Sequence, residues 1–137
     1  MADAAPKVFV SYAWDDRDFA ERVRSAVVQS GANALDPYSI EAGSDLEGEV
    51  LNAVRAADVF VFVIPPREGL GKSALAELGA ARALGKRIVA LMPDRARAAN
   101  SEVAVRLSDL IVLDAGEKTA STLAQQVLSA LPSRHTH

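Results

Sequence analysis

From Val59 to Ile64 the chain runs V-F-V-F-V-I without a polar residue, the pattern of a strand covered on both faces. Pro65 and Pro66 stop it. On either side, short apolar runs alternate with segments whose apolar positions recur every three or four residues. Lys7 to Tyr12 is β-branched and aromatic and predicts a buried strand. Asp15 or Asp16 then caps a helix reaching about Ser30, with Phe19, Val23, Ala26, Val27 and Ser30 on one face and Arg17, Glu21, Arg22 and Arg24 elsewhere. Gly31 ends that helix, and Ala32 to Leu35 reads as a weak strand whose low β-propensity assigns it to an edge. A D-P-Y-S-I-E-A-G loop follows. Ser44 to Glu47 match a capping box, in which hydroxyl and carboxylate satisfy backbone donors reciprocally, so a helix starts there with Leu46, Val50, Ala53, Val54 and Ala57 as its stripe. Beyond the prolines, Ser73 to Lys86 reads as a helix with Gly85 near its end, and Arg87 to Met92 as a strand halted by Pro93. A short helical piece is expected around Glu102 to Leu107, a strand at Leu110 to Leu113, and a last amphipathic helix from Thr119 to Leu131 with Leu123, Val127 and Leu131 in register.

Strands and helices thus alternate with no two-residue hairpin signal between strands. Right-handed βαβ crossovers then build one parallel sheet with helices on both faces, and the simplest strand order is the flavodoxin-like 2-1-3-4-5. The expected fold is a single α/β domain over residues 1–137, ordered from about residue 6 to about 132. Ligands of such sheets sit at the carboxyl ends of the strands. Here those ends are Ser11 to Trp14, Asp36 to Tyr38, Pro65 to Leu70, Pro93 to Arg95 and Asp114.

Composition narrows the function classes. Half of the 137 residues are hydrophobic, enough for one domain with a real core. A formal charge of −3 with scattered Lys and Arg argues against a general nucleic-acid or anionic-membrane binder. The absence of cysteine excludes disulfide and thiolate chemistry and fits a reducing compartment. His135 and His137 lie in a polar terminus and are discounted as ligands, so no metal site is expected. No apolar run approaches the length of a membrane span, and the opening M-A-D-A-A-P-K lacks a secretory core, so a cytoplasmic protein is expected.

One residue breaks the pattern. On a helical wheel Glu77 shares the sheet-facing stripe of Ala74, Ala81 and Leu84. Read in the first turn of its helix, it is able to overhang the carboxyl edge of the preceding strand, where a ligand would lie. The competing reading is an ordinary first-turn acid, favourable to the helix dipole by about 0.3–1 kcal/mol. Gly69 to Ser73, G-L-G-K-S, imitates a phosphate-binding loop, but the full pattern needs glycine where Pro66 stands. Gly69 and Gly71 serve better as close-approaching backbone beside a helix start.

At this point the sequence resembles the Toll/interleukin-1 receptor (TIR) domains, in particular the bacterial ones. The matching pieces are V-F-V-S-Y-A-W-D-D-R-D-F-A-E-R-V at 8–23, the loop at 36–43 with its helix, the strand and prolines at 59–66, and S-A-L-A-E-L-G-A-A-R-A-L-G-K-R-I-V-A-L at 73–91. The resemblance implies a flavodoxin-like fold, self-association through TIR to TIR contacts and, in many bacterial and plant members, cleavage of the nicotinamide glycosidic bond of NAD+. Those enzymes carry their essential Glu four residues after a Trp or small residue, which maps onto Ser73 and Glu77; many members have Trp where Ser73 stands.

The resemblance therefore implies Glu77 as the catalytic carboxylate and NAD+ as a substrate, with no resident cofactor. Substrate contacts are expected from Ser11, Tyr12, Trp14, Asp36, Tyr38, Arg67 and Ser73. Of the two aromatics, Trp14 is the better stacking candidate and Tyr12 reads more readily as core. Ser11 also reads as a turn cap, Asp36 as an Asp-Pro turn and Arg67 as a solvated loop cation. The expected setting is immune or stress signalling, with a sensor or effector partner or a further fused domain. Two other functions stay open. One is a non-catalytic interaction module. The other is a nucleoside or nucleotide N-glycosidase similar to the deoxyribosyltransferases, whose E-L-G-x-A helix looks like Glu77 to Ala81, although the S-Y-A-W-D-D opening counts against it.

Overall fold

The computed structural model describes residues 5–35, 46–66, 72–94, 97, 110–115 and 119–130. Five parallel strands lie in the order β2-β1-β3-β4-β5: β1 Lys7–Ser11, β2 Asn33–Leu35, β3 Val59–Val63, β4 Arg87–Met92 and β5 Ile111–Asp114. The described helices are α1 Arg17–Gln29, α2 Leu46–Ala56, α3 Lys72–Ala83 and α4 Ala120–Ser129, with a single 3-10 turn at Trp14–Asp16 between β1 and α1. The flavodoxin-like order, the simplest one compatible with the alternation of strand and helix, is the one observed, and β3, buried at all five positions, occupies the centre. The weak strand β2 is an edge.

Strand alternation divides the core into two layers. Val8, Val10 and Tyr12 of the β1 segment, Val59, Val61 and Val63 of β3, and Val89 and Leu91 of β4 pack with the buried sides of α1 and α4. The intervening positions, Phe9, Phe60, Phe62, Ile88 and Ala90, pack with α2 and α3. Phe9 and Phe60, paired across the sheet, stack with centroids 5.6 Å apart and planes 7° from parallel. Gly31 and Gly85 take positive φ, 97° and 68°, and turn the chain out of α1 and α3 into the next strands.

Several boundaries and faces differ from expectation. α1 has Asp16 at its N-cap, but the side chain makes no capping bond, because it is engaged elsewhere. Ala20 rather than Ser30 completes the buried face of α1. α3 starts at Lys72 and its regular turns end at Ala83, three residues short of Lys86, where the positive-φ Gly85 reverses the chain. Its first turn holds no acid, so Glu77 belongs to the second turn. The dipole explanation for this glutamate therefore loses its basis, since that effect fades beyond the first turn. Leu78 joins Ala74, Glu77 and Ala81 on the buried face, with Leu84 only partly covered. The expected capping box at Ser44 and the helical piece around 102–107 lie outside the described residues, as does Leu131. Among the described residues no helix is long and apolar enough to cross a membrane.

Candidate active site

β1 reaches Ser11 as a run of buried apolar residues and then changes character. Ser11 has the parity of Phe9, so its hydroxyl points into the α2/α3 layer. There it donates to Oε1 of Glu77 at 2.6 Å, across 66 residues of sequence. Ser11 is fully buried and Glu77 only 9 % exposed. The length lies within the range of an O–H···O hydrogen bond. A carboxylate in an apolar layer needs such partners, because an unpaired one is too costly to keep ionised. The sheet-facing stripe read from the helical wheel does hold Glu77, but the acid is buried and bonds the carboxyl end of β1, where an overhang at the edge of the preceding strand, β3, was expected.

Tyr12, one residue on, has the opposite parity. Its ring is buried in the α1/α4 layer, on the other side of the sheet from Glu77. Trp14 sits in the 3-10 turn beyond the strand and is 54 % exposed. The Arg17 guanidinium lies 4.9 Å from its ring centroid, and Nη1 of Arg17 donates to the Trp14 carbonyl at 3.1 Å. The cation steadies the indole and leaves much of it in solvent. Ser73, one turn before Glu77 on α3, is exposed. Asp36, Tyr38 and Arg67 lie outside the described residues. The structure therefore brings Ser11 against Glu77, puts Trp14 at the same edge of the sheet, and separates Tyr12 from them.

A second arrangement at this edge was not legible beforehand. Arg97, in the segment after β4 that reads as a plain polar loop, directs Nη1 to Asp16 Oδ2 at 2.7 Å and to the Ile64 carbonyl at 2.8 Å, while Nε reaches Asp94 Oδ2 at 3.2 Å. One guanidinium thus joins the chain just past β1, β3 and β4. Both members of the Arg97–Asp16 pair are nearly buried, with side chains 11 % and 6 % exposed. Burial alone would lower the arginine pKa; the hydrogen bond and charge of Asp16, then those of Asp94, outweigh it and hold the value above the ordinary one. The one sequence hint was Asp94 and Arg97 at a three-residue spacing, which does not reveal Asp16 as the main partner. Among the described residues no cluster of His, Cys, Asp and Glu has the makings of a metal site.

Solved structures with a similar fold include the TIR domains of the activated Roq1 resistosome directly recognising the pathogen effector XopQ, with TM-score 0.63, 15% identity and coverage of 91% of this chain and 98% of that one. The CMP N-glycosidase BcmB of Clostridium botulinum gives TM-score 0.58 at 15% identity over 90% of this chain and 98% of that one. A 2-desoxiribosyltransferase from Leishmania mexicana gives TM-score 0.53 at 18% identity, and that match spans 65% of each chain. At such identities the likeness shows the fold alone. No curated protein matches the chain significantly. The family model described as the TIR domain, in contrast, matches residues 8–128, a span that runs from β1 into α4 and takes in Ser11, Asp16, Glu77 and Arg97. The chain belongs to the TIR domain family.

Proposed function

We propose that the chain is an NAD+ nucleosidase, cleaving the bond between nicotinamide and ribose to give nicotinamide and ADP-ribose or a cyclic ADP-ribose isomer. The observation that carries this reading is the Glu77 carboxylate, buried and held by Ser11 at the carboxyl end of β1 in a TIR domain. In the reaction the C1′–N bond breaks with its electron pair going to nicotinamide, which leaves neutral and needs no general acid. The ribose is left oxocarbenium-like, and a fixed carboxylate in a low-dielectric site stabilises that charge and accepts hydrogen bonds from ribose hydroxyls. Water or an internal nucleophile then adds to C1′ and releases a proton. NAD+ is substrate here, with no resident cofactor. Trp14 stacks on a ring of the dinucleotide, and Asp36, Tyr38, Arg67 and Ser73 supply further contacts. The remaining elements of the reading are a single bacterial-type domain spanning the chain, a cytoplasmic setting, activation by self-association, and a sensor or effector partner in immune or stress signalling.

The test is incubation of concentrated or artificially clustered protein with NAD+, followed by chromatographic separation of products. Wild type is expected to release nicotinamide, and Glu77→Gln to lose at least about a hundredfold in kcat while keeping its circular dichroism spectrum. A clustered wild type that releases none overturns the proposal. Turnover of CMP or 2′-deoxynucleosides with indifference to NAD+ would assign the N-glycosidase reading instead. One observation favours a second reading, a non-catalytic interaction module: the internal bond of the 9 % exposed Glu77 would equally anchor α3 to β1. In that case Glu77→Gln leaves TIR to TIR association unchanged and no variant affects NAD+.

A further inference from the structure

β1 is flanked by β2 on one side and β3 on the other, and its last residue, Ser11, pairs in register with Phe62 of the central strand. The registered pairing with β2 ends at Phe9, so at Ser11 the backbone is fixed by its pairing with the central strand. Glu77 is the opposite case: a carboxylate at the end of three rotatable bonds, reaching from a helix. The 2.6 Å bond between them joins the rigid point to the flexible group. A hydroxyl in an apolar strand end is unfavourable unless it is bonded, and this one directs its proton to the carboxylate. With full burial, the Ser11 side chain is covered by protein and the hydroxyl is turned toward Glu77.

We propose that Ser11 is a positioning residue for Glu77: it acts on the reaction through the carboxylate, fixing Oε1 in one orientation, and does not itself contact the dinucleotide. The inference rests on the nucleosidase reading above. It also gives the S-Y-A-W-D-D opening a physical content, since Ser11 secures the carboxylate of α3 while Asp16, five residues on, receives the guanidinium that ties in the segment after β4.

The assay is steady-state nicotinamide release by clustered wild type, Ser11→Ala, Ser11→Thr and the Ser11→Ala/Glu77→Ala double variant. Misplacing a reacting group by an ångström is enough for about a hundredfold, so Ser11→Ala is expected to lower kcat about 10- to 100-fold with KM for NAD+ nearly unchanged. Ser11→Thr keeps the hydroxyl and recovers most of kcat. In the Glu77→Ala background, Ser11→Ala causes no further loss, which a merely structural role would not predict. Circular dichroism melts verify that each variant is folded at the assay temperature; should Ser11→Ala fail there, Ser11→Cys, which keeps the volume with a weaker donor, takes its place with the same expected loss. An active wild type with an indifferent Ser11→Ala, or a Ser11→Ala defect confined to KM, overturns the assignment. A wild type that releases no nicotinamide overturns the nucleosidase reading first and removes the catalytic purpose of Ser11 with it.

Discussion

Replacing Arg97 by alanine removes one cation from two carboxylates and one carbonyl at once. The Asp94 contact is at an exposed carboxylate, 3.2 Å away, and contributes little. The Asp16 contact differs, because that carboxylate is 6 % exposed and its partner 11 %. Truncating one member of a buried pair leaves the other charged and unsolvated, at about 3–5 kcal/mol. The slight exposure of Arg97 favours the lower end, and the lost donor to Ile64 overlaps with the same cost, so about 3 kcal/mol is expected for Arg97→Ala. That is a large part of the 5–15 kcal/mol typical of a domain and corresponds to a fall in Tm of roughly 10 °C. Asp16→Asn keeps the volume and an acceptor and should cost about 1–2 kcal/mol. The double variant Arg97→Ala/Asp16→Ala should be more stable than the two single losses predict, with about 2 kcal/mol of coupling. Because the pair is shielded, the difference between wild type and Arg97→Ala should persist at high salt, unlike that of a surface pair. Since the arginine pKa is raised in the fold, the contribution persists as pH rises to the ordinary arginine range and is lost only above it. Urea unfolding followed by far-ultraviolet circular dichroism measures all of this. A change below about 0.5 kcal/mol for Arg97→Ala, or additivity of the pair, would refute the reasoning.

Trp14→Ala should leave stability within about 0.5 kcal/mol, because the ring is half in solvent, yet raise KM for NAD+ about fivefold through lost stacking, with Trp14→Phe recovering most of it; an unchanged KM removes Trp14 from the substrate contacts. Thr119→Ala should cost about 1 kcal/mol in thermal or urea unfolding, since the Thr119 side chain accepts from the Thr122 amide at 3.1 Å as the N-cap of α4. Nicotinamide release should be insensitive to prolonged chelation with EDTA, because the proposed chemistry uses a carboxylate and a cationic leaving group alone; inhibition that added divalent cation reverses would contradict it.

Residues whose role depends on local periodicity were legible in the chain itself. Glu77 stood out because a helical wheel needs only its own neighbours to reveal an acid on an apolar stripe. Trp14 read as the better stacking candidate of the two aromatics because it follows a strand and precedes two aspartates. Asp16 was not legible in this way. It has the residue type and position of an N-cap, and its side chain turns from that task toward Arg97, a residue 81 positions away. Tyr12 is an intermediate case. Its parity with Val8 and Val10 was readable, but which helices cover that face, and hence that it lies opposite Glu77, follows from the side on which each crossover packs.

What the amino-acid order determined by itself is the alternation of strand and helix, the central place of Val59–Val63 and the edge position of Asn33–Leu35, with 2-1-3-4-5 as the simplest parallel order compatible with them. These follow from short-range pattern plus the fixed hand of βαβ crossovers, neither of which needs a distant partner. Only the tertiary structure decided that α3 begins at Lys72, that Glu77 sits in the second turn and bonds Ser11, and that Asp16 joins Arg97. The physical reason is that such pairs depend on the relative height and rotation of packed elements. Shifting a helix by one residue along its sheet leaves the periodicity intact and moves the Glu77 position about 1.5 Å along and 100° around the axis, enough to break a 2.6 Å bond.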